Sequence, residues 1–134
     1  SKIAEVRKKN ADSIIDALIR MMIIDDHLDP REHAKISEIY FYLHARHPEP
    51  NYIEERSFEI MDDQDLSDTS EVSRVIAESI KKENSRTLTT ISLVEVMMAD
   101  DKKLEIELQL LEMIADLWDT QDILEEELQK YVKS

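Results

Sequence analysis

The segment Asp25-Asp26-His27-Leu28-Asp29-Pro30-Arg31-Glu32 places four carboxylates within eight residues, after the apolar stretch Ile14–Ile24. Such a set offers only oxygen donors, which suits a hard divalent cation such as Ca²⁺ or Mg²⁺. Asp25 and Asp26 stand where a helix ends. There the macrodipole disfavours negative charge by a few tenths to about 1 kcal/mol each, and free carbonyls add further ligands. A cation-free reading competes. Asp29-Pro30-Arg31-Glu32 is also a helix start, with an acid at the N-cap, proline at the first helical position and glutamate at the third. Asp25 could likewise reach forward and accept N–H groups from the second helix.

Other constellations are weaker. Asp63 to Glu71 sets oxygens at alternate positions as a calcium loop does. It fails as an EF-hand, because Asp68 stands at the glycine position and Arg74 at the bidentate glutamate position. His44 and His47 are three apart with Glu49 nearby, but zinc needs a third or fourth ligand in register. Helix-end histidines are the expected outcome there. His27 and His33 flank the first acidic turn and could each add a nitrogen ligand for a softer metal. Neither His-Glu-x-x-His nor Glu-x-x-His occurs, so the zincin and di-iron templates are excluded.

The 134 residues include no glycine and no cysteine. A chain this long would carry about nine glycines at average usage. Phosphate-binding loops, dinucleotide fingerprints and nucleophile elbows all need glycine, and so are closed. The lack of cysteine closes disulfides, thiolate zinc sites and thiol nucleophiles. A net charge of −14 excludes nucleic acid as the expected partner and favours cations or a basic protein surface. No apolar run reaches the roughly 18 residues of a membrane span, so no membrane insertion is expected. The first nine residues show no signal-peptide core, which makes cytoplasm the expected compartment.

Apolar spacing is helical throughout, and it predicts about seven helices. The first runs from Ile3 to Ile24. The second holds Ile36, Ile39 and Leu43 and stops before Pro48. Asn51 with Glu54, and Asp68 with Glu71, have capping-box spacing for the third and fourth. Leu88 to Met98, Leu104 to Trp118, and a last helix capped by Thr120 complete an all-α domain over 1–134. Met21, Met22, Met97 and Met98, together with Trp118, are expected in the core. Tyr40, Phe41 and Tyr42 are consecutive, so at least one must face outward.

The chain also repeats itself. Leu18 to Asp26 aligns with Leu93 to Asp101, Asp25 falling on Asp100, Glu32 on Glu107 and Ile39 on Ile114. Two helix–turn–helix units thus carry an Asp-Asp step and an acid seven positions after its first Asp. Asp100, Asp101 and Glu107 make a second, weaker copy of the site, since Lys102 and Lys103 partly neutralise it.

These motifs resemble the tellurite-resistance TerB family, in which an apolar helix ends in Ala-Asp-Gly and a Glu opens the next helix. Asp25, Leu28 and Glu32 occupy the motif positions, and Ala99-Asp100 through Glu107 follows with its aliphatic residue one place late. The family's glycine is replaced by Asp26 and Asp101, and Asp tolerates left-handed backbone better than most residues. The resemblance implies an all-helical, non-enzymatic module linked to stress or tellurite resistance and associated with divalent cations.

The expected function is therefore a TerB-like binding module. Its acidic turn, led by Asp25, Asp26, Asp29 and Glu32, takes a divalent cation or a basic partner group. The alternative is a metal-free interaction module with an exposed aromatic or apolar helix surface, recognising an unidentified protein partner or forming a homodimer. A hydrolase built on Asp25 and Glu32 has neither an oxyanion hole nor a nucleophile in this sequence.

Overall fold

The computed structural model describes residues 2–100 and 105–132, with side chains from residue 8 onward. Seven helices run through them: α1 (Lys2–Ile23), α2 (Pro30–His44), α3 (Tyr52–Asp63), α4 (Thr69–Ser79), α5 (Glu83–Met97), α6 (Glu105–Trp118) and α7 (Gln121–Val132). No strand occurs among the described residues. The all-α class and the element order follow the apolar periodicity closely.

The repeat is visible in the packing. Helix α1 lies along α5, its counterpart in the second unit, and each packs on the helix that follows its acidic turn. The third helix of each unit also returns to the first, α3 on α1 and α7 on α5, while α4 lies along α6. Each unit buries its apolar face on the other, as a two-repeat chain must. Ile15, Leu18, Ile19, Met21 and Met22 of α1 meet Leu93, Val94 and Met97 of α5 in one core. Three of the four paired methionines are fully buried there, and Met98 packs at its edge. Trp118 is buried too, its indole N–H donating to the Ala77 carbonyl at 3.1 Å, with the Arg86 guanidinium over the ring.

Helix ends show where local expectations hold. The Asp29 carboxylate accepts from the N–H groups of Arg31 and Glu32 ahead of Pro30. Asp68 caps α4 through the Glu71 N–H at 3.2 Å, but the Glu71 side chain turns to Arg74 instead of reaching back. Asn51 stands at the N-cap of α3 without a side-chain bond. The Thr120 hydroxyl meets that of Thr90, 3.1 Å away in the interior, tying the start of α7 to α5.

With no glycine available, other residues hold the left-handed backbone at three reversals: Asp26 (φ 63°), Ala45 (φ 56°) and Asp119 (φ 58°). Asp26 thus does what the TerB-like motif asks of its glycine. Asp101, its counterpart, lies outside the described residues. Ala45 is the least suited of the three, because its Cβ crowds the carbonyl and it has no polar side chain to compensate. Ala45→Gly is expected to stabilise the fold by about 0.5–1 kcal/mol, read as an increase in the urea midpoint at unchanged m-value. A lowered midpoint would contradict the strain at this position.

Candidate functional site

The two acidic turns do not form two separate sites. Glu32, the third residue of α2, and Glu107, near the start of α6, are both carried inward, with exposures of 1% and 0%. Their carboxyls approach closely enough for a hydrogen bond between them, so the two units share one buried carboxyl pair. Asp25 and Asp100, the first acids of the two turns, bear on the same pair electrostatically. Asp25 is part-exposed and Asp100 is buried.

This is an expensive place for charge. Glu32 Oε2 and both Glu107 oxygens are buried without a hydrogen-bond donor among the described residues. Two ionised carboxylates side by side in a dry interior repel each other and lose their hydration. Burial pushes the Glu32 carboxyl well above the usual carboxylate range, and its hydrogen bond to Glu107 and the charges of Glu107, Asp100 and Asp25 add to the rise. Glu107 is also raised by burial and by Asp25, Asp100 and Asp29, while the hydrogen bond from Glu32 pulls it partly back. A proton held on Glu32 and donated to Glu107 accounts for both tendencies and supplies the missing donor.

The remaining acids of the first turn divide by role. Asp29 is occupied as the α2 cap; burial, the largest single influence, pushes its carboxyl up, but the N–H groups of Arg31 and Glu32 and the Arg31 guanidinium together outweigh it and hold the pKa below the usual value. The Glu32 side chain does not complete that cap; it faces Glu107. Asp25 accepts from the His27 N–H at 3.1 Å, so it braces the turn itself and not the start of α2. Burial nonetheless raises its pKa. Asp26 is exposed and is not among the charges that raise the pair. Asp101, Lys102 and Lys103 of the second turn lie outside the described residues.

The histidines are spread out. The His44 ring is buried against Tyr40, with ring centroids 4.1 Å apart. Its Nε2 lies 3.5 Å from Asp12 Oδ1 without a hydrogen bond, at the C-terminal end of α2 as expected but with the ring largely covered. His47 stacks on Phe41. In the Asp63–Glu71 stretch, Asp65 is taken up by the N–H and hydroxyl of Ser67, and Arg74 pairs with Glu71 and Glu78. Among the described residues, no group of three or more His, Asp or Glu side chains is placed so that it could hold a metal ion.

Sequence reasoning singled out Glu32 and Glu107 among the acids but treated the two turns as separate. The signal for their union was the common seven-residue step from Asp25 to Glu32 and from Asp100 to Glu107. Glu107 also sits in the apolar row of Leu104, Leu111 and Ile114, where a solvated acid has no place.

A carboxyl whose pKa is higher folded than unfolded contributes stability below the unfolded value, and that contribution is lost as pH rises through the folded value. Glu32→Gln keeps the shape, stays neutral and donates an N–H to Glu107. The variant is therefore expected to melt increasingly above wild type as pH is raised from 5.5 to 8.5. A melting difference independent of pH would show that the pair does not titrate in the fold. No family model matches the chain, and no curated protein or solved structure compared with it is similar.

Proposed function

We propose that this is a non-enzymatic, TerB-like binding module, linked to stress or tellurite resistance, whose two acidic turns together form one site for a divalent cation, Ca²⁺ or Mg²⁺. The observation that supports this reading is the set of three buried, donor-less oxygens on Glu32 and Glu107. Those oxygens would hold the ion, with Asp25 and Asp100 as the nearby carboxylates. Asp26 and Asp29 take no part, one being exposed and the other engaged as a cap.

Both glutamates belong to helix starts, fixed by α2 and α6 on the two sides of the site. Their carboxyls are thus presented by rigid elements, and binding need not order a loop around them. Bound there, the cation would neutralise the repulsion that a proton now relieves. It would join the two repeats and supply no bond-breaking chemistry. Among the described residues, neither a nucleophile nor an oxyanion-stabilising partner stands beside the carboxylates, which favours a binding role over catalysis.

Thermal melts with Ca²⁺, Mg²⁺, Mn²⁺ and Zn²⁺ test this reading. An ion at 100 times its Kd should stabilise the wild type by about 2.7 kcal/mol. Glu107→Gln should abolish the shift, and Asp25→Asn should weaken it. If no ion moves the wild-type midpoint, the cation reading is wrong.

The second reading, an interaction module, is favoured by one observation: Phe41 and Tyr42 on α2 are 46% and 76% exposed. Tyr40 is buried and belongs to the core instead. Under this reading the wild type scatters light as a dimer, and Phe41→Ala with Tyr42→Ala gives a monomer. A monomeric wild type disposes of the homodimer.

A further inference from the structure

Asp26, left aside by the carboxyl pair, lines a different feature. A cleft of about 430 Å³ opens between the end of α1 and the α3–α4 connection. Ile23, Ile24, Met61 and Leu66 form its apolar part, and Asp26, Gln64, Asp65 and Ser67 its polar part. Ile23 and Ile24 are core residues, whereas Asp26 and Asp65 are exposed. The carboxylates therefore stand at the rim of an apolar hollow.

The polar groups are held in place. Asp65 Oδ1 accepts from the Ser67 N–H at 2.9 Å and from its hydroxyl at 2.6 Å, which keeps Asp65 ionised. Gln64 Oε1 accepts from Arg20 Nε at 2.8 Å, fixing the amide, and its Nε2 is left buried without an acceptor. The cleft thus presents an anionic rim over an apolar floor. No Lys or Arg lines it.

We propose that this cleft binds a lysine residue of a basic protein partner. A lysine has the matching parts in one unit. Its four-methylene stem suits the apolar wall, and its ammonium the Asp26 and Asp65 carboxylates. The chain's net charge of −14 draws such a segment in. This inference does not draw on the cation site, since neither Glu32 nor Glu107 lines this cleft.

Fluorescence anisotropy with an end-labelled nine-residue peptide, one central lysine among serines and alanines, tests it. The wild type should bind, and Asp26→Asn with Asp65→Asn should weaken binding roughly tenfold, on the order of two exposed charge pairs. Glu125→Gln with Glu126→Gln, an equal charge change on α7, should leave binding unaltered. Two altered peptides separate the parts of the lysine: acetylation removes the charge, and diaminopropionate in its place keeps the charge but shortens the stem. Both should bind at least about fivefold more weakly. Equal binding of the short-stem peptide, or an equal loss with the α7 variant, would reduce the effect to general attraction and overturn the proposal. Displacement by spermidine at the peptide's own concentration would overturn the protein source in favour of a free polyamine. Unchanged circular dichroism of the Asp26/Asp65 variant confirms that any loss is local.

Discussion

Everything in this fold depends on the packing of α1 against α5. They are equivalent helices of a duplicated sequence, and neither is apolar on one side only: α1 must also cover α2 and α3, and α5 must cover α6 and α7. Burying them against each other removes a broad apolar surface from water, which is the main favourable term in folding. It also has a geometric by-product. Equivalent helices packed together bring equivalent turns together, so acids far apart in the chain become neighbours. The meeting of Glu32 and Glu107 is a consequence of core packing, and the core carries its electrostatic cost.

That cost explains why the two glutamates stand out from the other acids. Most of the chain's 31 acidic residues have water, a helix cap or a basic side chain to answer them. The bidentate Arg56–Asp16 pair, which ties α3 to α1, is an example. Among the described residues, no cap N–H or basic side chain answers Glu32 Oε2 or either Glu107 oxygen. Alanine or leucine at either position would fill such an interior without penalty, so two facing carboxyls are a feature that stability alone does not explain. Buried ionisable groups with shifted titration concentrate at functional sites for this reason.

Much of this was legible beforehand. Apolar spacing read at 3.6 residues per turn places all seven helices to within a few residues, because nothing in the chain competes with helix: no glycine, few prolines and no alternating strand pattern. The Asp-Asp steps and the seven-residue spacing pointed to the correct acids. What the linear chain did not carry was their partner. Glu32 read alone is a good capping residue, and only the apposition of the two units turns it inward. His44 follows the same logic. It stands at a helix end as expected, but its ring folds back on Tyr40 one turn earlier and is mostly covered. Thr120, read as a cap, instead spends its hydroxyl on Thr90. Local sequence gave elements and ends; long-range pairing decided which polar groups were buried.

Trp118 is the only tryptophan, and it closes the helix that Glu107 opens. The eleven-residue step from one to the other spans about 16 Å of helix at 1.5 Å per residue. Its indole hydrogen bond to Ala77 and its contact with Arg86 fix it among α4, α5 and α6. The molecule therefore contains its own optical reporter, single and unambiguous, at the far end of a rigid rod rooted in the carboxyl pair. A rearrangement that stays within the two turns leaves that emission untouched. One that tilts or slides α6 changes the surroundings of the indole directly.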